Sequence, residues 1–517
     1  MGKKLVALLA VFSVSLSIFF PANSFAVNEI IVNGWAITGN MGESNPWGND
    51  RIQVGNYNYL FEIKPKRFVG RTCVEFPISP TLQNPCSVSD FISKANKGDT
   101  GVGAFTYLPV CQLSGTTSCF NGFTVKSEKT VTSSSAIFDK YQTEYVEQKE
   151  LVDGGVPGLG SASLWHINPA LTVHGQGKVV AMPLSYQFPT NPTKSKQKIS
   201  PNYGKWLTGN FSLEIVPYYA AKFSELPLFV PDKNANKIPS EFDSLKVVDG
   251  HVCPRYALWS DSEYCYLRDS FIADAIISAN TVLPKYVTSI YGGRVSEPKF
   301  DYSIIGDYKH IEVSGAPINV PAVILTDWLK ASTLQALNGS SFVLNGSSHL
   351  KLESLRKLVG DKFGYTVQRW KVASAPPLSV TPGAPVSVKA RVRECKDNFN
   401  SQNTSLESFV TSNAFMGQSS PPAFDGKKMS YQLGGLHYNA DGSVFEGDYQ
   451  VVLNAKLARC VYGLSGALRA SISIVDNSGS VQKVLTQSFK ENNGLLYLRV
   501  SGFSFSEPTI SFSLTSD

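Results

Sequence analysis

Apolar and polar residues alternate in short runs along much of the chain, and Gly, Asn, Asp and Pro residues separate the runs. Residues 57–63, 386–393 and 471–475 are three of these runs. Because successive side chains of a strand point to opposite faces, such alternation predicts strands with one buried face. The pattern therefore predicts a mainly β protein with several domains.

Turn residues separate paired runs at two places near the C-terminus. Residues 440–443 lie between the runs 436–439 and 444–445, and residues 476–479 follow the run 471–475. Gly supplies the positive φ that such turns need, and Asp and Asn tolerate it. Each place is predicted to be a β-hairpin.

Three segments depart from alternation and predict short helices. Residues 87–96 begin at a serine cap, and residues 327–337 begin at an aspartate and end at an Asn-Gly pair. Residues 349–363 place leucines on one face, which favours packing against a core.

Residues 1–26 are organised like a secretory signal peptide. Two lysines precede an apolar run over residues 5–20, and small residues stand at Ser24 and Ala26. We expect cleavage to leave Val27 first; an uncleaved anchor is the alternative, but the apolar run is short for a membrane span. No later run is long enough to cross a membrane, so we expect no transmembrane segment after cleavage.

The clearest domain boundary is the segment 374–385, which contains four prolines. Proline disfavours both helix interiors and sheet ladders, so a Pro-rich linker is predicted here. It precedes residues 386–517, predicted to form a C-terminal Ig-like antiparallel β-sandwich, although this region lacks the tryptophan of true immunoglobulin domains. The large β-rich N-terminal region is divided into residues 27–225 and residues 226–373, the second with short helices.

The composition excludes two classes of protein. Of the 517 residues, 17% are charged and 11% are aromatic, the reverse of what disorder requires. The formal net charge is +6, and the densest basic run, residues 194–198, is a predicted loop without interleaved aromatics. We therefore expect no nucleic-acid partner.

Eight cysteines follow the leader, and an even number in an exported chain predicts disulfide bonds. Their clustering favours three local pairs and leaves one long pair, which we expect to tie the two sheets of the sandwich. No Cys-x-x-Cys pair is present, so zinc ligation is disfavoured. The favoured pairs are Cys73–Cys86, Cys111–Cys119, Cys253–Cys265 and Cys395–Cys460.

Residues 232–243 carry oxygen ligands at the spacing of a calcium loop. Calcium takes carboxylate, amide, hydroxyl and backbone oxygens at such alternating positions. The predicted ligands are Asp232, Asn234, Asn236, the backbone of Ile238, Ser240 and Asp243. The alternative is a plain surface loop, where Asn and Asp favour turns.

This segment resembles the calcium repeats of the thrombospondin type 3 kind, whose pattern runs Asp-x-Asp-x-Asp-Gly-Ile-Pro-Asp-x-x-Asp. The resemblance covers twelve residues and one repeat, and it implies a structural calcium ion. Lys237 replaces the glycine, and Ser240 replaces an acid. With fewer carboxylates, we expect affinity on the order of millimolar. The matching positions are Asp232, Ile238, Pro239 and Asp243.

A stretch near the N-terminus mixes flat aromatic rings with amide and acid side chains. Aromatic faces stack on sugars, while Asn and Asp bind hydroxyl groups. The alternative is that the tryptophans are core anchors. The candidate ligand-binding residues are Trp35, Trp47, Asn49, Asp50, Tyr57 and Tyr59.

Catalytic motifs are missing from the sequence. It contains neither Gly-x-Ser-x-Gly nor His-Glu-x-x-His. Three acids bracket Cys265: Asp261, Glu263 and Asp269. They are either the acids of a glycosidase or solvated loop charges. We favour solvated loop charges. His174 is interpreted as a surface or satisfied histidine.

These features predict a secreted, disulfide-stapled binding protein at a cell surface or in an extracellular matrix, acting in adhesion or carbohydrate recognition. Its expected partners are glycans or proteins of that surface. Two alternatives are a secreted polysaccharide-active hydrolase with an accessory β-sandwich, and a structural subunit of a surface layer or fibre.

Overall fold

A computed structural model defines the fold, which is mainly β with two helices in the described ranges. The structure describes residues 30–32, 35–37, 40–41, 72–75, 102–111, 118–142, 162–189, 207–226, 247–253, 258–284, 290–306, 308–324, 328–330, 365–374, 378–402, 406–414, 416–417, 422–439, 441–476, 478–482, 486–506 and 508–516.

Twenty strands precede the proline-rich segment in these ranges. They are β1 (Ile30–Val32), β2 (Trp35–Ile37), β3 (Asn40–Met41), β4 (Thr72–Glu75), β5 (Val102–Tyr107), β6 (Cys119–Ser127), β7 (Thr132–Ser135), β8 (Ile137–Tyr141), β9 (Ser163–His166), β10 (Lys178–Pro189), β11 (Leu207–Lys222), β12 (Val247–Val248), β13 (His251–Val252), β14 (Trp259–Ser260), β15 (Tyr264–Arg268), β16 (Ala275–Pro284), β17 (Gly292–Ile305), β18 (Tyr308–Ile324), β19 (Trp328–Lys330) and β20 (Tyr365–Ala373). A 3-10 turn, Phe223–Glu225, follows β11.

The remaining described part of the chain contains ten strands and both helices. They are β21 (Ser379–Val380), α1 (Val386–Gln402), β22 (Ser408–Ser412), β23 (Met416–Gly417), β24 (Ala423–Phe424), β25 (Met429–Gly434), β26 (Glu446–Asn454), α2 (Ala455–Tyr462), β27 (Leu468–Val475), β28 (Thr486–Asn492), β29 (Leu495–Ser504) and β30 (Thr509–Ser516).

Strand β11 is a junction of the sheet. Along its sixteen residues it pairs antiparallel with β10, β15 and β20. Strand β20 pairs in turn with β17 and β18, and β17 pairs in parallel with β22. Through β22 the hydrogen bonds continue to β26, β29 and β28. Residues on both sides of the proline-rich segment therefore belong to one hydrogen-bonded network.

A first core lies on one face of these strands. Alternate residues of β11 supply Phe211, Leu213 and Ile215, and the face continues with aromatic side chains from neighbouring strands. Burying side chains of this size is the main source of stability. The largest fully buried members of the first core are Phe120, Phe211, Phe271, Trp370 and Phe409.

A second core lies between two sheets of the C-terminal region. Strand β26 separates the two cores, because Val452 packs into the first core and its neighbours Val451 and Leu453 pack into the second. The facing sheet has the order β21-β24-β25-β30-β27. Its contributions to the second core include Phe424, Met429, Ile474, Ile510 and Phe512.

The strand predicted over residues 386–393 is wrong, because these residues begin helix α1. The alternation in that short window is part of a longer helical stripe at spacings of four, three and four residues. Pro385 stands at the start of the helix, where its carbonyl accepts the amide of Lys389 at 3.1 Å. The stripe consists of Val388, Val392, Cys395 and Phe399, which pack against the second core.

Helix α2 has well-defined caps. The side chain of Asn454 accepts the amides of Lys456 and Leu457 at its start, at 3.0 and 3.1 Å. Gly463 ends it with a φ of 69°, a left-handed conformation that favours glycine.

Three of the four predicted disulfide bonds are confirmed: Cys111–Cys119, Cys253–Cys265 and Cys395–Cys460. The pair Cys73–Cys86 lies outside the described side chains. The expectation that Cys395–Cys460 ties two sheets is wrong, because these cysteines lie on α1 and α2 and the bond joins the two helices.

Both predicted hairpins are present. Tyr438 bridges to Val444 across the first turn, and Val475 bridges to Val481 across the second.

The predicted helix over residues 327–337 is wrong at its start, where residues 328–330 form strand β19 by pairing with β2. The rest of it, and the helices predicted over residues 87–96 and 349–363, lie outside the described residues.

The predicted division into domains stays a prediction. The described part of the predicted linker contains Leu378, which is buried in the second core, and strand β21, which pairs with β24. None of the helices in the described ranges is long and apolar enough to span a membrane.

We predict that the Cys395–Cys460 bond stabilises the fold more than Cys111–Cys119. Its ends are 65 residues apart, against 8 for the shorter loop, and closing a longer loop removes more entropy from the unfolded chain. Replacing Cys395 and Cys460 with alanine should lower the free energy of unfolding by about 4 kcal/mol, against about 2.5 kcal/mol for the other pair. Denaturant unfolding measures both values, and equal losses would contradict this account.

Candidate functional site

The sites predicted to bind sugar and calcium stay predictions, because nearly all of their residues lie outside the described part of the chain. Trp35 lies in strand β2, where the structure describes the backbone. The other ligand-binding candidates, Trp47, Asn49, Asp50, Tyr57 and Tyr59, lie outside the described residues. So do the calcium candidates Asp232, Asn234, Asn236, Ile238, Ser240 and Asp243.

Aromatic side chains gather on the hairpin of β14 and β15, residues 258–268, which we call the aromatic hairpin. Trp259 is the register partner of Tyr266, and their rings stack with centroids 4.6 Å apart and planes 18° apart. Tyr264 lies beside Tyr266, with a centroid distance of 6.4 Å. All three side chains are partly exposed, and one side of the Trp259 and Tyr266 rings packs against a buried cluster that includes Tyr218.

The turn of the aromatic hairpin is built by Asp261. Its Oδ1 accepts the amides of Glu263 and Tyr264 at 2.8 and 2.7 Å, and its Oδ2 accepts the hydroxyl of Tyr266 at 2.6 Å. Burial, followed by this hydrogen bond, raises the pKa of Tyr266. A hydrogen bond with Glu263 raises the pKa of Tyr264. Both hydroxyls therefore stay protonated, and both rings are held in place.

Alternation along β15 explains why the tyrosine rings lie on the face opposite Cys265 and Leu267. Cys265 and Leu267 are buried, whereas Tyr264, Tyr266 and Arg268 between and beside them are partly exposed. Cys265 is also held by its bond to Cys253. The hairpin is thus fixed from the inside by a disulfide and a small core, which makes its outer face rigid.

The same small core holds both ends of the segment that contains the predicted calcium loop. Leu226 before the segment and Val248 after it pack with Cys253 and Cys265. His251 bonds through Nδ1 to the carbonyl of Leu226 at 2.6 Å. Leu226 and Val248, which flank residues 227–246, therefore lie close together.

A second cluster pairs a buried acid with a surface histidine. The Asp269 side chain is 1% exposed and its Oδ1 lies 2.7 Å from Nδ1 of His174, which is 47% exposed. Because a carboxylate accepts hydrogen bonds, Nδ1 is the donor in this contact. The His174 ring also stacks on Tyr219 at 3.8 Å. The Nε2 atom can accept a proton or bind a metal.

The interpretation of all three acids around Cys265 as solvated charges is therefore wrong for Asp269. This carboxylate also accepts the amides of His174 and Ser270, which anchors the loop that carries His174. Gly177 ends that loop with a φ of 63°, and a Cβ there would collide with the carbonyl of Ile167. Within the described residues, no group of three potential ligands is placed to hold a metal ion.

A third cluster lies inside the sheet around Glu214. Arg369 forms a bidentate ion pair with this carboxylate, at 2.9 and 2.7 Å, and Arg268 reaches it at 3.5 Å. Lys371 is the register partner of both Glu214 and Arg294, so the three side chains lie in a row across β11, β20 and β17. Burial, followed by the charge of Arg369, lowers the pKa of Lys371 to about 7.

Sequence reasoning found the acids near Cys265 and missed the other groups. The alternating run of residues 264–268 was an available signal for outward aromatic rings. No local pattern links Asp269 to His174, which lies 95 residues away, or Glu214 to Arg369, which lies 155 residues away.

Comparisons with models of protein families, with curated proteins and with solved structures found no match for this chain.

We predict that Lys371 makes stability depend on pH. Its pKa is about 7 in the folded protein against 10.5 in the unfolded chain, so between these values the unfolded chain binds more protons. The free energy of unfolding should therefore rise with pH from about 7 to about 9, below the ionisation of tyrosine, by about 1 kcal/mol per pH unit, and this contribution is lost as pH falls towards 7.

The variant Lys371→Met should remove this slope, and denaturant unfolding at several pH values measures it. Lys490→Met is the matched control, because it makes the same substitution at a lysine that is exposed to solvent. A slope that persists in Lys371→Met would contradict the prediction.

Proposed function

We propose that this chain is a secreted, disulfide-stapled protein that binds carbohydrate at a cell surface or in an extracellular matrix. The observation that carries the proposal is the aromatic hairpin. Trp259 and Tyr266 form a stacked, partly exposed pair, and the exposed acid Asp261 lies at the same turn. Flat rings stack on the apolar faces of sugars, while carboxylates accept hydrogen bonds from sugar hydroxyls.

The rigidity of the hairpin supports recognition by the exposed parts of these rings, whose other parts pack against the cluster around Tyr218. Asp261 and Glu263 restrain the two tyrosine hydroxyls, and the Cys253–Cys265 bond restrains the strand below them. A preorganised surface loses little entropy when a ligand binds. Surface rings in this setting are suited to sugars, which bind weakly and need a ready-made platform.

Export is supported by the leader pattern of residues 1–26 and by the disulfide bonds. Disulfides persist in oxidising compartments and are rare in the cytosol. Three of them lie within the described residues, which is compatible with an extracellular location. The predicted surface or matrix partners, glycans or proteins, fit the same compartment.

The C-terminal region is proposed to act as an Ig-like antiparallel β-sandwich that supports the binding region. The second core, which two sheets share, supports this assignment. Helices α1 and α2 at its side are an addition to a plain sandwich.

Calcium is proposed to brace the segment that contains residues 232–243. The packing of Leu226 and Val248 into one small core supports a closed loop there. The aromatic hairpin shares this core through Cys265 and Leu267, so an ion in the loop would stabilise the surface that binds sugar.

A polysaccharide-active hydrolase is the second candidate. His174, with its Nδ1 held by the buried Asp269, has the arrangement of a general base. A glycosidase would in addition need a pair of carboxylates at the scissile bond. We therefore rank binding first.

We predict that the purified, oxidised mature protein binds a subset of glycans on an array, more strongly with millimolar calcium. Trp259→Ala should weaken this binding about tenfold, because losing one stacking face costs about 1.4 kcal/mol. Trp47→Ala tests the aromatic residues predicted near the N-terminus. Tyr438→Ala is the control, since Tyr438 is an exposed ring on a different hairpin.

Equal binding by the wild type and Trp259→Ala would remove the aromatic hairpin from the proposal. If no glycan binds with or without calcium, the carbohydrate proposal fails. Release of reducing sugar that stops in His174→Ala would then favour the hydrolase, and concentration-dependent assembly would favour a structural surface-layer or fibre subunit.

A further inference from the structure

Lys371 is a buried amine in the middle of the sheet. It is 8% exposed and lies on β20, between β11 and β17. Its side chain shares a face with its register partners Glu214 and Arg294, because directly opposed residues of antiparallel strands point the same way. It therefore belongs to the row of charged side chains that crosses these three strands.

Among the described residues, the charged groups that act on Lys371 are one carboxylate, Glu214, and the three guanidinium groups of Arg268, Arg294 and Arg369. The Glu214 oxygens are bound by Arg369 at 2.9 and 2.7 Å. Within the described part of the chain, the Lys371 amine has no hydrogen bond or ion pair of its own. Among these described groups, positive charge thus exceeds negative charge around the amine of a buried residue.

A buried ammonium group among guanidinium groups is unfavourable, so the amine is driven towards its neutral form. Burial and the charge of Arg369 lower the pKa of Lys371 to about 7. A neutral lysine amine has a lone pair and is a nucleophile at a pH where exposed lysines are protonated. The cluster therefore holds a reactive amine in surroundings that favour a negative charge.

We propose that Lys371 is a modification site that takes up carbon dioxide and becomes a carbamate. The lone pair of Nζ attacks the carbon atom, a bond forms between nitrogen and carbon, and one carbon–oxygen π pair moves onto oxygen. Nζ then loses one proton to water. One amine and one carbon dioxide molecule give one carbamate anion and one proton, and nothing is oxidised or reduced.

The neighbours of Lys371 fit this product. A carbamate ends in two oxygens like a carboxylate, the group that a guanidinium fork binds best. Arg369 lies two residues away on β20, and Arg294 lies directly across on β17, where it also bonds to the carbonyl and hydroxyl oxygens of Ser412. Adding a negative charge here brings the charges of the cluster closer to balance.

The modification would be reversible and pH-dependent. Acid protonates the amine and removes the nucleophile, so the carbamate should be lost on acidification. The proposal is independent of sugar binding, because Lys371 and the aromatic hairpin are tested by different readouts.

The test uses the full mature chain in isotope-labelled bicarbonate at mildly alkaline pH. Nuclear magnetic resonance should show one carbamate carbon signal per chain besides that of the N-terminal amine, and this signal should disappear on acidification. Trapping the carbamate by alkylation of its oxygen, followed by peptide mass analysis, should place the added mass on the peptide that contains Trp370 and Lys371. Trypsin should also fail to cut after the modified Lys371.

Two variants separate this site from other amines. Lys371→Arg lacks the nucleophilic amine and should lose the signal, whereas Lys490→Arg, at an exposed lysine, should keep it. Absence of the signal in the wild type, or a trapped mass on any other lysine, would overturn the proposal. Because the mapping is done on the wild type, it stands even if Lys371→Arg folds poorly.

Discussion

The bidentate ion pair between Glu214 and Arg369 is the contact on which the arrangement of the sheet depends. Glu214 lies on β11, where three other strands meet, and its carboxylate binds side chains from β20 and from β15. A charge buried at this depth is tolerated only when it is paired, so the pair selects the register of these strands. The opposite face of strands β11 and β20 carries residues of the first core, including Ile215 and Trp370.

Strand β11 thereby links the interior of the protein to its candidate binding surfaces. Beyond the ion pair, its last residues pair with β15, which carries the aromatic hairpin, and Tyr219 supports the ring of His174. Towards the C-terminal region, β20 and β17 lead through β22 to β26, the strand that divides the two cores. A rigid scaffold of this kind can hold exposed side chains on short turns.

The sequence patterns predicted what depends on near neighbours. Alternation gave the β class and both C-terminal hairpins, and spacing gave three disulfide pairs. The error at α1 arose because eight residues of Val386–Gln402 fit both periods, and the helical stripe becomes visible only when Phe399 is included. The hydrogen bonds of Asp269 and the charged neighbours of Lys371 depend on strand order, which no local pattern encodes.

The most direct test of this account is the stability of Glu214→Gln. This substitution leaves buried guanidinium groups without their charge partner. We therefore predict that the free energy of unfolding falls by about 3 to 5 kcal/mol. Amide hydrogen exchange should also become faster in β11, β20 and β17 together. Glu491→Gln breaks the ion pair with Arg459 at the surface and should cost no more than about 1 kcal/mol. Equal losses in the two variants would contradict the central role of Glu214.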